Sequence, residues 1–306
     1  MSLISLILVL VIEQFRPLSY ARWVATPLQA LADWGERHFN AGTERHGLIG
    51  WLVVVGGLSL LAAVVHFLLA WQNGFAALGW SVLMLYLTMG FRQFSHHYTE
   101  IHLALRLGEI DRARALLAEW REEPQQMWSS GDIARLAIEQ ALLASHRHVF
   151  AVLFWFVLLP GPSGAVLYRV SAIVADRWRG HLTESEPFAQ FAQRAFAVID
   201  WLPQRITATG FAIVGDFEDA VHCWRTQAAA WIDRSAGIVL AAGAGALGVK
   251  LGMPLEVDGE VRDREGLGLG VEPDEDVMQS AVGLVWRALV LWLLLLFLLS
   301  LASLVG

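Results

Sequence analysis

The sequence predicts an all-α, polytopic integral membrane protein. Of its 306 residues, 56% are hydrophobic, and the mean hydropathy is +0.50. A soluble domain of this length fills its core with far fewer apolar residues. Several apolar stretches also approach roughly 20 residues, the length at which a helix crosses a bilayer. We therefore expect a single membrane domain over residues 1 to 306. It should contain about four transmembrane helices, a re-entrant helical hairpin and cytoplasmic amphipathic helices.

The re-entrant hairpin is predicted over residues 149 to 176. This stretch is long and apolar, but residues 160 to 164 read Pro-Gly-Pro-Ser-Gly. Two prolines and two glycines so close together end one helix and begin another. Each half then has only about ten residues, too few to cross the membrane alone. Arginines flank the hairpin on both sides, which favours a cytoplasmic position for both ends. A single kinked spanning helix is the alternative.

Four further stretches are the predicted spans: 2 to 12, 48 to 70, 75 to 91 and 281 to 303. The first is short for a full span and lacks the basic region and cleavage site of a signal peptide, so we expect a retained helix. The turn at 71 to 74 contains no Lys or Arg, whereas both outer flanks of this helix pair contain several. The positive-inside rule therefore places the turn outside the cytoplasm.

Other stretches have the character of surface helices and loops. Residues 92 to 148 predict a cytoplasmic helical segment, because charged residues lie opposite apolar ones at helical spacing. Residues 177 to 235 predict further amphipathic helices. Residues 236 to 252 are almost all small or aliphatic, which favours a buried packing helix. Residues 253 to 280 are acidic and contain several glycines, and we expect a mobile loop there.

Composition and short motifs also exclude several classes of partner and site. The net charge is −7, and no basic, aromatic-rich stretch suggests a nucleic-acid partner. The only cysteine, Cys223, can form neither an intramolecular disulfide nor a zinc motif. The run Gly-Leu-Gly-Leu-Gly at 266 to 270 follows no predicted strand, so it is no dinucleotide-binding motif. We expect the lipid bilayer and an unknown small molecule or membrane protein as partners.

Six ionisable residues border the apolar stretches and are the candidate ligand-binding residues. They are Glu13, Arg92, Glu139, Arg147, Arg169 and Asp176. Ionisable groups at membrane depth are costly and tend to face a cavity or one another. We expect Glu139 to pair with Arg147 or Arg169 in a polar pocket at the mouth of the hairpin. Purely structural pairing, without a ligand, is the alternative.

Histidines are grouped next to two of the apolar stretches. They are His96, His97 and His102, with Glu100 among them, and His146 and His148. Imidazoles and a carboxylate are metal ligands, and protonation of histidine would also make such a group respond to pH. The spacing matches no known zinc signature, so we expect interfacial histidines and no metal site.

Several short motifs follow one another in a fixed order along the chain. They are Gly108-Glu109-Ile110, Leu153-Phe154-Trp155, Gly161-Pro162, Tyr168-Arg169, Leu202-Pro203 and the glycine-rich run from 245 to 252. In order and spacing they resemble the CobD/CbiB superfamily of polytopic bacterial inner-membrane proteins. That superfamily includes the adenosylcobinamide-phosphate synthases of cobalamin biosynthesis and the AmpE branch, which is linked to β-lactamase regulation.

The polar motifs of the enzyme branch are incomplete in this chain. Just before its Leu-Phe-Trp, that branch carries roughly E-S-x-A-E-N-x-x-D-G. Glu139 remains at the first position, but Leu143 and Ala144 stand where an acid and an amide belong. Arg147 stands in place of the aspartate. The branch's N-T-x-D after Tyr-Arg becomes Ala-Ile-Val-Ala at 172 to 175.

An amide ligase that consumes a nucleotide needs carboxylates to hold Mg²⁺ and donors to bind the transferring phosphate. The resemblance therefore implies an AmpE-like, non-catalytic regulatory or ligand-binding protein of the bacterial inner membrane, without a cofactor. The alternative is an adenosylcobinamide-phosphate synthase-type amide ligase, which would use Mg²⁺ and a nucleotide.

Overall fold

The computed structural model of the protein describes residues 2 to 15, 21 to 181, 187 to 257 and 260 to 305. The side chains of residues 2, 21, 22, 91 to 93, 181 and 303 to 305 also lie outside this description. Helices make up most of the described chain, which confirms the predicted all-α membrane class. A short pair of antiparallel strands is an addition that the sequence did not predict.

The elements follow one another along the chain with short connections. The first seven helices are α1 (Ser2–Phe15), α2 (Thr26–Phe39), α3 (Glu44–Trp51), α4 (Gly57–Gln72), α5 (Gly74–Thr88), α6 (Phe91–Arg106) and α7 (Ile110–Arg121). The next six are α8 (Ser130–Ser145), α9 (Ala151–Leu158), α10 (Ser163–His181), α11 (Pro187–Val214), α12 (Phe217–Gln227) and α13 (Arg234–Leu247). Strands β1 (Leu255–Val257) and β2 (Glu260–Arg262) precede α14 (Glu275–Val305). Single π-helical turns occupy Ala21–Ala25, Leu52–Gly56 and His146–Phe150.

The chain divides into two units. The first comprises residues 1 to 92 and 148 to 203, and the second comprises residues 93 to 147 and 204 to 306. The first unit has an apolar core around Trp178, whose indole N–H donates to the carbonyl of Ala32 at 3.0 Å. The ring of Phe188 packs on Trp178 with ring centroids 4.4 Å apart.

The second unit is built around α13, which is buried from Gly237 to Ala246. This confirms the predicted packing helix. A Cβ on Gly245 would lie 2.4 Å from the carbonyl oxygen of Asp219, so only glycine allows α13 and α12 to approach this closely.

Within the described part of the chain, three stretches of helix are long and apolar enough to cross a membrane: Glu44–Gln72, Ser130–Leu158 and Glu275–Ala302. The predictions at 48 to 70 and 281 to 303 are confirmed as apolar helices of spanning length. The predicted spans at 2 to 12 and 75 to 91 correspond to the shorter apolar helices α1 and α5, of 14 and 15 residues. The middle stretch of spanning length was not predicted.

The helix breaks where the proline-glycine sequence predicts, because α9 ends at Leu158 and α10 begins at Ser163. The prediction of two halves of about ten residues is wrong. Residues 130 to 158 form one continuous helix of 29 residues, and α10 has 19. The polar residues at 146 to 148 lower the hydropathy, but no Pro or Gly stands between 132 and 159 to end the helix. The re-entrant path itself stays a prediction.

Glycines allow the turn between α9 and α10 to pack closely. Gly161 has a φ of +62°, and a Cβ there would lie 2.5 Å from Cγ of His66 on α4. A Cβ on Gly164 would lie 1.9 Å from the carbonyl oxygen of Trp155. The Ser163 hydroxyl donates to the carbonyl of Pro160 at 2.8 Å, which ties the turn together. The sequence of the turn thus determines both the break and its packing.

The segment at 253 to 280, predicted as an acidic mobile loop, contains structure that the sequence did not indicate. β1 and β2 pair antiparallel, and the backbones of Leu251 and Leu267 exchange hydrogen bonds of 2.7 and 2.8 Å. Leu255 and Leu267 are buried. α14 begins at Glu275, so the loop ends earlier than predicted. The mobility of this segment stays a prediction.

Candidate functional site

Each unit contains a set of buried polar contacts that includes a carboxylate and a guanidinium. The α10 cluster of the first unit comprises Tyr168, Arg169, His148 and Asp200. The Glu139 cluster of the second unit comprises Glu139, Gly252, Arg264 and Trp231. Each cluster combines a carboxylate, a guanidinium and an aromatic ring, so each has the groups needed to hold a polar ligand.

The α10 cluster depends on two neighbouring residues of α10. Tyr168 is fully buried, and its hydroxyl donates to Oδ1 of Asp200 on α11 at 2.8 Å. Arg169 is 4% exposed, and its Nη2 donates to Nδ1 of His148. Because a guanidinium can only donate, His148 accepts at Nδ1, and its neutral ring therefore carries the proton on Nε2. The α10 cluster thus consists of two pairs, a phenol with a carboxylate and a guanidinium with an imidazole, held by neighbouring residues of α10.

The Glu139 cluster joins α8 to the segment that follows α13. Oε1 of Glu139 accepts from the backbone N–H of Gly252 at 2.9 Å, and Oε2 accepts from Nη2 of Arg264. Cζ of Arg264 lies 4.9 Å from the ring centroid of Trp231, a cation–π contact. Gly252 has a φ of +75°, and a Cβ there would lie 2.1 Å from the carbonyl oxygen of Glu265. Only glycine can therefore present its N–H to Glu139 at this position.

The predicted pairing of Glu139 with Arg147 or Arg169 is wrong, because Glu139 pairs with Arg264. Arg147 follows Glu139 by eight residues, which is about 12 Å along a helix. The helix from Ser130 to Leu158, of which α8 is the first part, continues through that distance, so the two side chains do not meet as they would in a bent chain.

The remaining predicted ligand-binding residues lie in different environments. Glu13 is buried on α1, Arg147 is half-buried in the π-helical turn, and Asp176 is exposed on α10. The side chain of Arg92 lies outside the described part of the chain. Their grouping with Arg169 around one ligand stays a prediction.

The histidines also lie in different environments. Nδ1 of His146 is 2.9 Å from the hydroxyl of Thr207, and both side chains are buried. Nε2 of His96 is 3.6 Å from Glu100, a partly exposed pair one helical turn apart. His97 stacks on Trp120 with ring centroids 6.1 Å apart. Among the described residues there is no group of three or more His, Cys, Asp or Glu side chains that could hold a metal ion.

Sequence reasoning missed Tyr168, Asp200 and Thr207 as buried polar residues. For Asp200 and Thr207, which both lie on α11, the sequence did contain a signal. Asp200, Gln204 and Thr207 recur at intervals of four and three, which places them on one helix face, and all three are buried. Arg264 gave no signal, because it belongs to a segment without periodicity.

Residues 172 to 175, where the resemblance places the second polar motif of the enzyme branch, are apolar, and three of the four are buried. Ala172 and Ala175 are each 4% exposed, and Val174 is fully buried in the core around Trp178. Ala144, where the first motif has an amide, is also buried. These positions contribute to packing and offer no side-chain ligand.

Comparisons with known proteins match most of the chain to one protein family. The family model described as CobD/Cbib protein matches residues 7 to 285. Cobalamin biosynthesis protein CobD of Stutzerimonas stutzeri is 36% identical over 281 residues, which cover 89% of this chain and 90% of the relative. The CobD protein of Chromobacterium violaceum is 36% identical over 211 residues, covering 69% and 67% of the two chains.

A more distant relative carries the other family name. Cobalamin biosynthesis protein CbiB of Salmonella typhimurium is 26% identical over 267 residues, which cover 82% of this chain and 80% of the relative. No solved structure matches the chain significantly.

Proposed function

The chain belongs to the CobD/CbiB family, and from this premise we propose that it acts in cobalamin biosynthesis at the bacterial inner membrane. Within the family we assign it a ligand-binding, AmpE-like role without amide-bond formation. Its ligand would be a corrinoid intermediate, bound through the polar groups of the α10 cluster.

The observation that carries this proposal is the packing at the lost polar motif. Val174 is fully buried in an apolar core, and Ala172 and Ala175 adjoin it on the same helix. A site that transfers phosphate needs carboxylates and fixed donors where negative charge develops. Three apolar side chains at these positions provide neither.

The acid retained from the first motif supports the same conclusion. Both oxygens of Glu139 accept hydrogen bonds from the protein, one from Gly252 and one from Arg264. A carboxylate that holds Mg²⁺ must present an oxygen to the ion and usually shares it with waters and further acids. Glu139 therefore does not fit the role of a Mg²⁺ ligand in this arrangement, and we derive no step through the ion.

Binding to the purified, detergent-solubilised protein tests the proposal. We expect cobinamide to bind in the absence of Mg²⁺ and nucleotide, as followed by corrin absorbance. Arg169→Gln should weaken that binding by roughly tenfold, because it removes a charged donor from the α10 cluster. Arg179→Gln is the matched control, since Arg179 is exposed on the same helix. Equal effects of the two substitutions would exclude the α10 cluster as the binding site.

An amide ligase of the adenosylcobinamide-phosphate synthase type is the second candidate. It is favoured by the names of the relatives, each of which is a cobalamin biosynthesis protein, and by the 36% identity that extends over 90% of one of them. This candidate requires both Mg²⁺ and a nucleotide. Calorimetric titration of the protein with Mg²⁺ and ATP, and separately with Mg²⁺ and GTP, distinguishes the two functions, because the ligand-binding role predicts no heat of binding with either nucleotide.

A further inference from the structure

We propose that residues 252 to 257 and 260 to 264 form a releasable strap, which Glu139 fastens over helix α8. While the strap is closed, both carboxylate oxygens of Glu139 accept hydrogen bonds from it, and opening would expose them. The inference goes beyond the proposed ligand-binding function and depends on the structure alone.

The two ends of the strap are held by the same carboxylate. Gly252 at the beginning donates its backbone N–H to Oε1 of Glu139, and Arg264 at the end donates from Nη2 to Oε2. Glu139 is 3% exposed, because these two partners and α8 enclose it. Loss of the carboxylate would therefore free both ends together.

The backbone at the start of the strap is strained. Gly252 and Met253 have φ values of +75° and +61°, so two successive residues lie in the left-handed region. Glycine adopts this region at little cost, but a long side chain such as methionine does not. Strained residues persist only where their surroundings enforce the conformation, and here Gly252 is held by its hydrogen bond to Glu139 and by the Leu251–Leu267 backbone hydrogen bonds beside it. Opening the strap would release this strain.

Besides Glu139, the strap is held by three described contacts, the first of which is the stacking of the Arg264 guanidinium on the Trp231 ring. Leu255 is buried, and the indole N–H of Trp128 donates to the carbonyl of Glu256 at 3.1 Å. Val261 is 73% exposed, and its neighbours Glu260 and Arg262 are exposed as well. Segments with few buried apolar contacts open at a free energy well below that of global unfolding. Glu139 contacts both ends of the strap, so its loss affects the two ends together.

Hydrogen–deuterium exchange of the full chain in detergent, read by mass spectrometry, tests the strap. In the wild-type protein we expect peptides from the strap to exchange as one unit and faster than peptides from α8 and α13. Glu139→Gln and Arg264→Gln should each raise the exchange rate of both arms of the strap, residues 252 to 257 and 260 to 264, by roughly tenfold or more. The exchange rate of α13 should not change. Arg262→Gln is the matched control, because Arg262 is exposed on the same hairpin, and it should change nothing.

Two results would overturn the strap. The first is that, in the wild-type protein, peptides from the strap exchange no faster than peptides from α8 and α13. The other is a Glu139→Gln or Arg264→Gln effect that is confined to one arm or equals that of Arg262→Gln. The measurement uses no ligand, so its failure would leave the proposed binding function standing, and a failure of cobinamide binding would leave the strap standing.

Discussion

At the residue scale, the buried carboxylate of Glu139 has two donors, the Gly252 N–H at 2.9 Å and the Arg264 guanidinium. A buried charge is tolerated when it is paired and hydrogen-bonded, and it becomes strongly unfavourable when one partner is removed. Arg264 itself is largely buried, with 17% of its side chain exposed. The pair is therefore sensitive to the loss of either member.

We expect Arg264→Leu to lower the free energy of unfolding by about 3 to 5 kcal/mol, because it leaves the Glu139 carboxylate buried without a counter-charge. Arg262→Leu should change it by less than about 0.5 kcal/mol, since Arg262 is exposed. Denaturant titration of both variants in detergent measures the difference. Similar losses in the two variants would show that the ion pair contributes little.

The thiol of Cys223 predicts a dependence on pH. Cys223 is fully buried on α12, and burial, followed by the nearby Asp219 carboxylate, raises the pKa of its thiol. The folded protein therefore keeps this proton at a pH at which the unfolded chain has lost it. The resulting stabilisation is fully present below the unfolded thiol pKa of about 8.5 and disappears as the pH rises towards the higher folded value.

The difference in unfolding free energy between wild type and Cys223→Ala should therefore shrink as the pH is raised from about 7.5 to about 10. Other titrating groups are common to both proteins and cancel in this comparison. Unfolding curves of the two proteins at several pH values provide the measurement. If the difference in unfolding free energy between the two proteins stays constant over the whole pH range, the thiol has the same pKa in the folded and unfolded states.

The pairing of individual charged residues was only partly predictable from the sequence. Glu139 could be recognised as a paired residue from its place in an apolar stretch, whereas its partner could not. Arg264 lies 125 positions away, in a segment whose acidic composition gave no reason to expect a buried arginine. Pairing across such a distance is decided by the tertiary fold, which no local pattern reports.

At the element scale, the break between α9 and α10 depends on glycines that admit close contacts. Gly164 stands near the start of α10, and a Cβ there would lie 1.9 Å from the Trp155 carbonyl oxygen, an overlap that the backbone can relieve only by moving. Gly180 stands near the end of the same helix, and a Cβ there would meet nothing within 4 Å. The two positions form a natural comparison.

Gly164→Ala should destabilise the protein by about 1 to 3 kcal/mol, because the overlap forces α9 and α10 apart. Gly180→Ala should be neutral or stabilising by up to about 1 kcal/mol, since alanine favours the helix. Thermal unfolding of the two variants in one detergent checks the contrast. A Gly164→Ala variant as stable as Gly180→Ala would mean that the turn is looser than described.

Elements marked by strong local signals were predictable from the sequence, and those without such signals were not. The Pro-Gly run at 160 to 164 fixes the break, and the small residues of α13 predict its burial. The length of the helix before the break was misjudged, because polar residues at 146 to 148 interrupt the hydropathy without ending the helix. Strands of three residues carry no usable periodicity, so β1 and β2 could not be foreseen.

At the scale of the whole molecule, the distribution of charge determines the orientation in the membrane. The turn between α4 and α5 contains no Lys or Arg, whereas the residues after Asp176 include Arg177 and Arg179. The positive-inside rule therefore predicts residue 72 outside and residue 180 in the cytoplasm.

Cysteine labelling tests this orientation in a Cys223→Ala background. A membrane-impermeant maleimide applied to spheroplasts should label Gln72→Cys, since Gln72 is exposed and lies at the outer turn. It should label Gly180→Cys only after the membrane is permeabilised. Labelling of Gly180→Cys in intact spheroplasts would refute the cytoplasmic placement of the end of α10.

The chain is a member of the CobD/CbiB family with helices of membrane-spanning length. Its apolar packing at Val174 and the engaged carboxylate of Glu139 argue for binding without ligation. Complementation tests this most directly, by expressing the chain in bacteria that lack the adenosylcobinamide-phosphate synthase and measuring cobalamin-dependent growth. We predict that growth is not restored, while a synthase expressed in parallel restores it. Restored growth with this chain would contradict the account and establish it as a ligase.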